Sequence, residues 1–137
     1  MAIATKEMPV GQELPPVKKE VTMDRMRLYT DWASVNIHTD WVAADKAGFP
    51  APIAQGLMSH SYLSEMLTQF FGESWLRGGK LSVKFISYVV PADTIIARGV
   101  VKEKRPEGDG VRMVVEVWCE NQKGQKVTVG EASAVVK

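Results

Sequence analysis

The chain is poor in the residues that most often anchor metals or cross-links. Its 137 residues hold one cysteine, Cys119, and two histidines, His38 and His60. A lone cysteine excludes an internal disulfide and a thiolate metal cluster. Two histidines argue against a multi-histidine centre, so no metal is expected. No run approaches the roughly 20 apolar residues of a membrane span. The opening "MAIATKEMPVGQELPP" lacks the basic start and long apolar stretch of a secretory signal. Charge of one sign is lacking too, since 17 basic residues face 16 acidic ones for a net charge of +1. Without a basic block, no nucleic-acid surface is expected. These absences together predict a cytoplasmic chain with neither nucleic acid nor membrane as partner.

What is present fits a single globular domain over residues 1–137. The composition, 45% hydrophobic and 24% charged, is that of a folded chain. The length suffices to bury a core without staples. Residues 1–16 carry three prolines and no periodicity, which predicts an irregular lead-in. "VKKEV" (17–21) predicts a short strand, and Thr22 an N-cap for a helix over 23–33. "TDWVAADKAG" (39–48) predicts a second short helix stopped by Gly48. Pro50 and Pro52 keep "FPAPIAQG" irregular. From Leu57 the pattern turns helical: Tyr62, Leu63, Met66, Leu67, Phe70 and Phe71 predict one long, largely buried helix over 57–71.

The second half is strand-like. Strands are expected over 80–90, 94–104, 111–120 and 126–136, separated by the turn signals "PAD", "RPEGDG" and "NQKG". Asp93 reads as a turn residue. In 111–120, Val111, Met113, Val115, Val117 and Cys119 share one face. The order predicts an α+β fold, an antiparallel sheet wrapped around one long helix. The outer face of such a sheet needs cover, and a second subunit is the usual remedy.

Read alone, His38 in "NIHTD" is a structural histidine at the head of the 39–48 helix. Four blocks change that reading: "VGQ" at 10–12, "IHTD…A…GF…PIAQGLM" at 37–58, "LSVKFISYVVPADTI" at 81–95 and "GEASAVVK" at 130–137. In order and spacing they resemble the MaoC-like, (R)-specific enoyl-CoA hydratase family, which has the hot-dog fold. The resemblance implies that His38 is the catalytic acid/base. It implies that the backbone N–H of Gly56, at the start of the central helix, faces the thioester carbonyl. Ser64 matches a helix serine that lines the site in some members. Tyr62 and Met58 are candidates to shape the acyl pocket. No cofactor is implied, because CoA arrives as part of the substrate. A homodimer or higher homo-oligomer is expected.

The chemistry suits these residue types. Hydration of an enoyl thioester builds negative charge on the carbonyl oxygen, which a free N–H at a helix N-terminus stabilises. Glycine allows close approach because it has no Cβ. Histidine titrates near neutral pH and can take and return a proton.

One departure stands out. The family places Gly-Asp-x-Asn-Pro just before the residue preceding the histidine, and the run here is "WASVN", residues 32–36. The aspartate's place is taken by Ala33. Asp31, two residues upstream, is one candidate replacement. Asn36, aided by Ser34, is a candidate to hold a water by its amide, although it cannot accept a proton. Arg77, Lys80 and Lys84 read as solvated charges. The expected function is a hydratase or dehydratase of an acyl thioester. The alternatives are an acyl-thioester-binding accessory subunit, or a hot-dog enzyme of altered chemistry such as a thioesterase.

Overall fold

The computed structural model describes residues 3–137. The first two residues of the expected lead-in lie outside the described residues. The elements run β1 (Val17–Glu20), α1 (Met23–Thr30), α2 (Trp41–Lys46), α3 (Gly56–Phe71), α4 (Glu73–Gly78), β2 (Lys80–Phe85), β3 (Thr94–Glu107), β4 (Gly110–Glu120) and β5 (Lys126–Val136). The five strands form one sheet in the order β1-β3-β4-β5-β2, with every pairing antiparallel. With α3 packed against it, this is the hot-dog arrangement.

Strand alternation decides where the core sits. Met113, Val115, Val117 and Cys119 of β4 point inward and are buried with Leu63, Met66, Leu67, Phe70 and Phe71 of α3. Each large side chain so buried contributes roughly 1.5–3 kcal/mol. The other face of β4 carries Arg112, Glu116 and Trp118, and Val114 is buried among them. That face carries polar contacts of its own. Arg98 pairs with Glu120, which also accepts from the Trp118 Nε1–H at 3.2 Å, and Lys126 Nζ sits 4.8 Å from the Trp118 ring.

Several boundaries differ from expectation for local reasons. Helix α1 stops at Thr30 because the Asp31 side chain turns back on the following loop. Strand β2 stops at Phe85 rather than residue 90, because Ile86 and Ser87 both donate to the Val127 carbonyl, at 2.9 and 3.2 Å, and leave the ladder. The six-residue helix α4 fills a gap that carried no periodic signal; an Arg77–Glu73 ion pair of 2.6 Å spans it. The lead-in is irregular but tied down. Gly11 N–H donates to the Val101 carbonyl at 2.7 Å, and Leu14 N–H to that of Gly99 at 2.9 Å.

Candidate functional site

His38 is held by a loop whose hydrogen bonds are nearly all local. The Asn36 Oδ1 accepts the His38 N–H at 2.9 Å, and the Asn36 carbonyl accepts from Thr39 and Asp40 at 3.1 and 2.9 Å. Thr39 is buried; its hydroxyl donates to the Ser34 carbonyl at 2.7 Å and accepts the Asn36 N–H at 3.0 Å. Asp40 caps α2 by accepting the Ala43 N–H at 2.9 Å. The run "NIHTD" therefore spends Asn36, Thr39 and Asp40 on fixing the one residue between them that carries an imidazole.

The imidazole is fixed as well. Its Nδ1 lies 2.8 Å from the Ile53 carbonyl oxygen. A carbonyl can only accept, so Nδ1 carries the proton. In the neutral ring Nε2 then bears the lone pair, and it has no partner among the described residues. Ile53 reinforces this by donating its N–H to the Ile37 carbonyl at 2.9 Å, while Ala54 N–H reaches the Val89 carbonyl at 2.8 Å.

Three residues beyond Ile53 the long helix begins. Gly56 is the first residue of α3, and Gln55 is its N-cap without a side-chain capping bond. The Gln55 amide instead donates to the Thr30 hydroxyl at 3.0 Å. The Gly56 N–H meets no acceptor among the described residues. It is one of the free donors that any helix start presents, at the positive end of the helix dipole. His38 and Gly56 border one cavity of about 430 Å³, walled also by Ser59, the 85–89 segment and Thr128. No carboxylate of the described residues lines it. The arrangement offers a proton acceptor and a hydrogen-bond donor to a group placed between them.

The remaining expected site residues lie elsewhere. Asn36 is committed to the loop rather than to the cavity. Asp31 is exposed; its carboxylate accepts from the Ser34 hydroxyl at 2.8 Å and the Ala33 N–H at 3.1 Å. Those two bonds hold it below the usual carboxylate range. Met58 and Tyr62 border a separate depression with Arg25, Leu28, Tyr29 and Glu65. Ser64 is half-buried, and its carbonyl accepts the Thr68 hydroxyl at 2.7 Å. Neither Ser64 nor Ala33 borders the cavity of His38. Sequence reasoning missed Ser59 and Thr128. The available signal was position: Ser59 follows Gly56 by three on the helix, and Thr128 alternates inward with Ala132 and Ala134.

Comparison with known proteins is consistent on fold. Solved structures that superpose on the chain include the R-hydratase PhaJ1 from Pseudomonas aeruginosa, with a TM-score of 0.77 and 23% identity over 96% of this chain and 84% of that one. The (R)-hydratase from A. caviae involved in PHA biosynthesis gives a TM-score of 0.78 and 21% identity over 97% of this chain and 100% of its own. The HadBC (3R-hydroxyacyl-ACP dehydratase) complex from Mycobacterium tuberculosis gives 0.69 and 14% over 96% and 99%. No curated protein matches significantly. The family model described as "MaoC like domain" matches residues 5–122, and the chain belongs to that family of hot-dog hydratases and dehydratases.

Proposed function

We propose that the protein adds water to an α,β-unsaturated acyl thioester, or removes it in reverse, with His38 as the single acid/base. The observation that carries this reading is the shared cavity. It pairs an imidazole whose Nε2 is left as the acceptor with an unpartnered N–H at the head of a 16-residue helix. The thioester carbonyl accepts from Gly56. A water beside Nε2 attacks C3 and gives its proton to the imidazole. The electron pair of the double bond moves toward the carbonyl oxygen, where the N–H and helix dipole stabilise it. The imidazolium then returns the proton to C2, so one H–O bond is broken and the elements of water are added across the double bond. No separate cofactor enters, and CoA would come with the substrate.

The absence of a carboxylate from the cavity supports one second reading, that of an acyl-thioester-binding subunit without turnover. It weighs against a thioesterase that relies on an acid. A homo-oligomer fits the exposed Leu28, Trp32, Val35 and Leu57, which leave apolar surface open on the single chain. Light scattering tests this, because a mass of only 15.2 kDa at micromolar concentration would contradict it.

The deciding experiment is a turnover screen of enoyl-CoA esters with product identification by mass, run on wild type and His38→Ala. Water addition by wild type, lost in the variant at little changed melting temperature, is expected. Equal activity of the variant would overturn the mechanism. Binding without turnover would favour the subunit reading.

A further inference from the structure

Hydration as described leaves two buried polar residues of the cavity without a task, beside the more exposed Ser87 and Tyr88 at its rim. Ser59 and Thr128 both line it, and they are only 5% and 2% exposed. Neither hydroxyl has a hydrogen-bond partner among the described residues; the one bond at Ser59 is made by its carbonyl. No side-chain oxygen there is both sealed off and unpartnered. The two hydroxyls therefore open into the cavity rather than into packed core.

They stand on different elements, α3 and β5. Ser59 lies three residues beyond Gly56 on α3, which is about 4.5 Å further along the helix axis and on the same face. Thr128 lies on β5, directly across from Cys119 on β4 and from Phe85 on β2. The Cys119 thiol donates to the Ser59 carbonyl at 3.7 Å. That contact brings the Ser59 turn of the helix down onto the strand pair that carries Thr128. Burial sets the direction of entry: Gly56 is half-buried, and the two hydroxyls are deeper.

We propose that Ser59 and Thr128 select the acyl group, so that the cavity takes short acyl thioesters bearing a hydroxyl or oxo oxygen near the fourth carbon. This rests on the acyl-thioester reading and names its substrate class. With the carbonyl at Gly56, the chain carbons past the reacting double bond lie one helical turn deeper, beside the two hydroxyls. A plain alkyl chain entering there strips both of water and returns no hydrogen bond, which is unfavourable. An oxygen at that depth accepts from both. A cavity of about 430 Å³ suits a short acyl group.

The test uses saturated thioesters, which cannot be hydrated, so that binding is read apart from chemistry. Calorimetry with wild type is expected to show 4-oxopentanoyl-CoA binding roughly tenfold tighter than pentanoyl-CoA. Ser59→Ala/Thr128→Val should erase or reverse that preference, and each single variant should lose part of it. All three variants should melt near the wild-type temperature, because neither hydroxyl bonds to the protein. Equal affinity of wild type for the two thioesters, or a preference that survives in the double variant, would overturn the proposal. If neither thioester binds, the acyl-thioester reading falls and takes the proposal with it. If the expected preference is seen while no enoyl thioester is turned over, the selection stands and only the hydratase chemistry falls.

Discussion

The ring of Phe85 lies across the place that a side chain on Gly56 would take. A Cβ on Gly56 would stand 3.0 Å from the Cδ1, Cδ2 and Cε1 of that ring. The glycine therefore has a packing reason as well as a chemical one. Both meet at the entrance of the cavity, because Phe85 and Gly56 are both on its wall.

From this contact, Gly56→Ala is expected to cost activity more than stability. Phe85 is 51% exposed and can swing aside, and the helix gains a better helix former. The displaced ring would crowd the carbonyl-binding N–H. Turnover should fall, up to the roughly 10²–10³-fold of losing one oxyanion donor if the ring blocks the N–H altogether, with the melting temperature changed by only a few degrees. Adding Phe85→Leu should recover part of the loss. Full activity of Gly56→Ala would show that the Phe85 ring yields without obstructing the N–H.

Asp31 is expected to be dispensable for chemistry. Its carboxylate is occupied by Ser34 and the Ala33 N–H, outside the cavity. Asp31→Asn keeps an acceptor oxygen for one of the two donors and removes the charge. Activity within a factor of about three of wild type is expected, against the roughly 10²-fold or greater loss typical of a missing acid–base group. A pH–rate comparison of the two proteins checks this. A large drop that abolishes one limb of the profile would make Asp31 the acid.

Ala92 has a φ of 76°, in the left-handed region, and is the only non-glycine residue there among the described residues. The turn is otherwise well tied. Ala92 N–H donates to the Val21 carbonyl at 2.8 Å, and the Asp93 carboxylate accepts the Val90 N–H at 3.0 Å. An L-residue in this conformation costs about 1–2 kcal/mol. Ala92→Gly removes that cost but adds freedom to the unfolded chain. A net gain of up to about 1 kcal/mol is expected, seen as a melting point higher by about 2–4 °C. A lower melting point would count against the strain.

Cys119 is buried, and burial pushes its thiol up to about 12. Native protein at pH 8 should not react with an aromatic disulfide reagent, and denatured protein should release one equivalent. The stability consequence has a definite sign. Below the unfolded value of 9.0 both states hold the proton and stability is unaffected. Between 9.0 and about 12 the unfolded chain releases the proton and the native one keeps it, so this group lowers stability as pH rises. The slope is about 1.4 kcal/mol per pH unit at most. Cys119→Ala should show a flatter alkaline limb in denaturant titrations.

The sequence was informative where periodicity or turn chemistry is strong. The apolar repeat from Tyr62 to Phe71 matched α3 to within a residue at each end, and alternation in β4 sorted Met113, Val115, Val117 and Cys119 inward. Asp93 holds the turn it was expected to hold. The composition of the cavity was harder to read. Ser59, Ser61 and Ser64 look alike in a string. Ser59 stands one turn beyond Gly56 and lines the cavity, whereas Ser64 stands about 12 Å along the axis from Gly56, beyond it. Ile86, Ser87, Tyr88 and Val89 read as a strand, yet they form a cavity wall because two consecutive N–H groups turn to the Val127 carbonyl. Asn36 looked like a water holder by chemistry. Its side chain was already needed two residues on.

The cavity's walls run from His38 to Thr128 in the chain, with contributions from 53–59 and 85–89 between them. No local segment contains the pocket, and no hairpin forms it in isolation. It comes into being only when β5 has docked between β4 and β2, after the slowest, most distant contacts have closed. Regain of ligand binding during refolding would thus time the completion of the sheet, whereas helical signal would time only the earlier formation of α3.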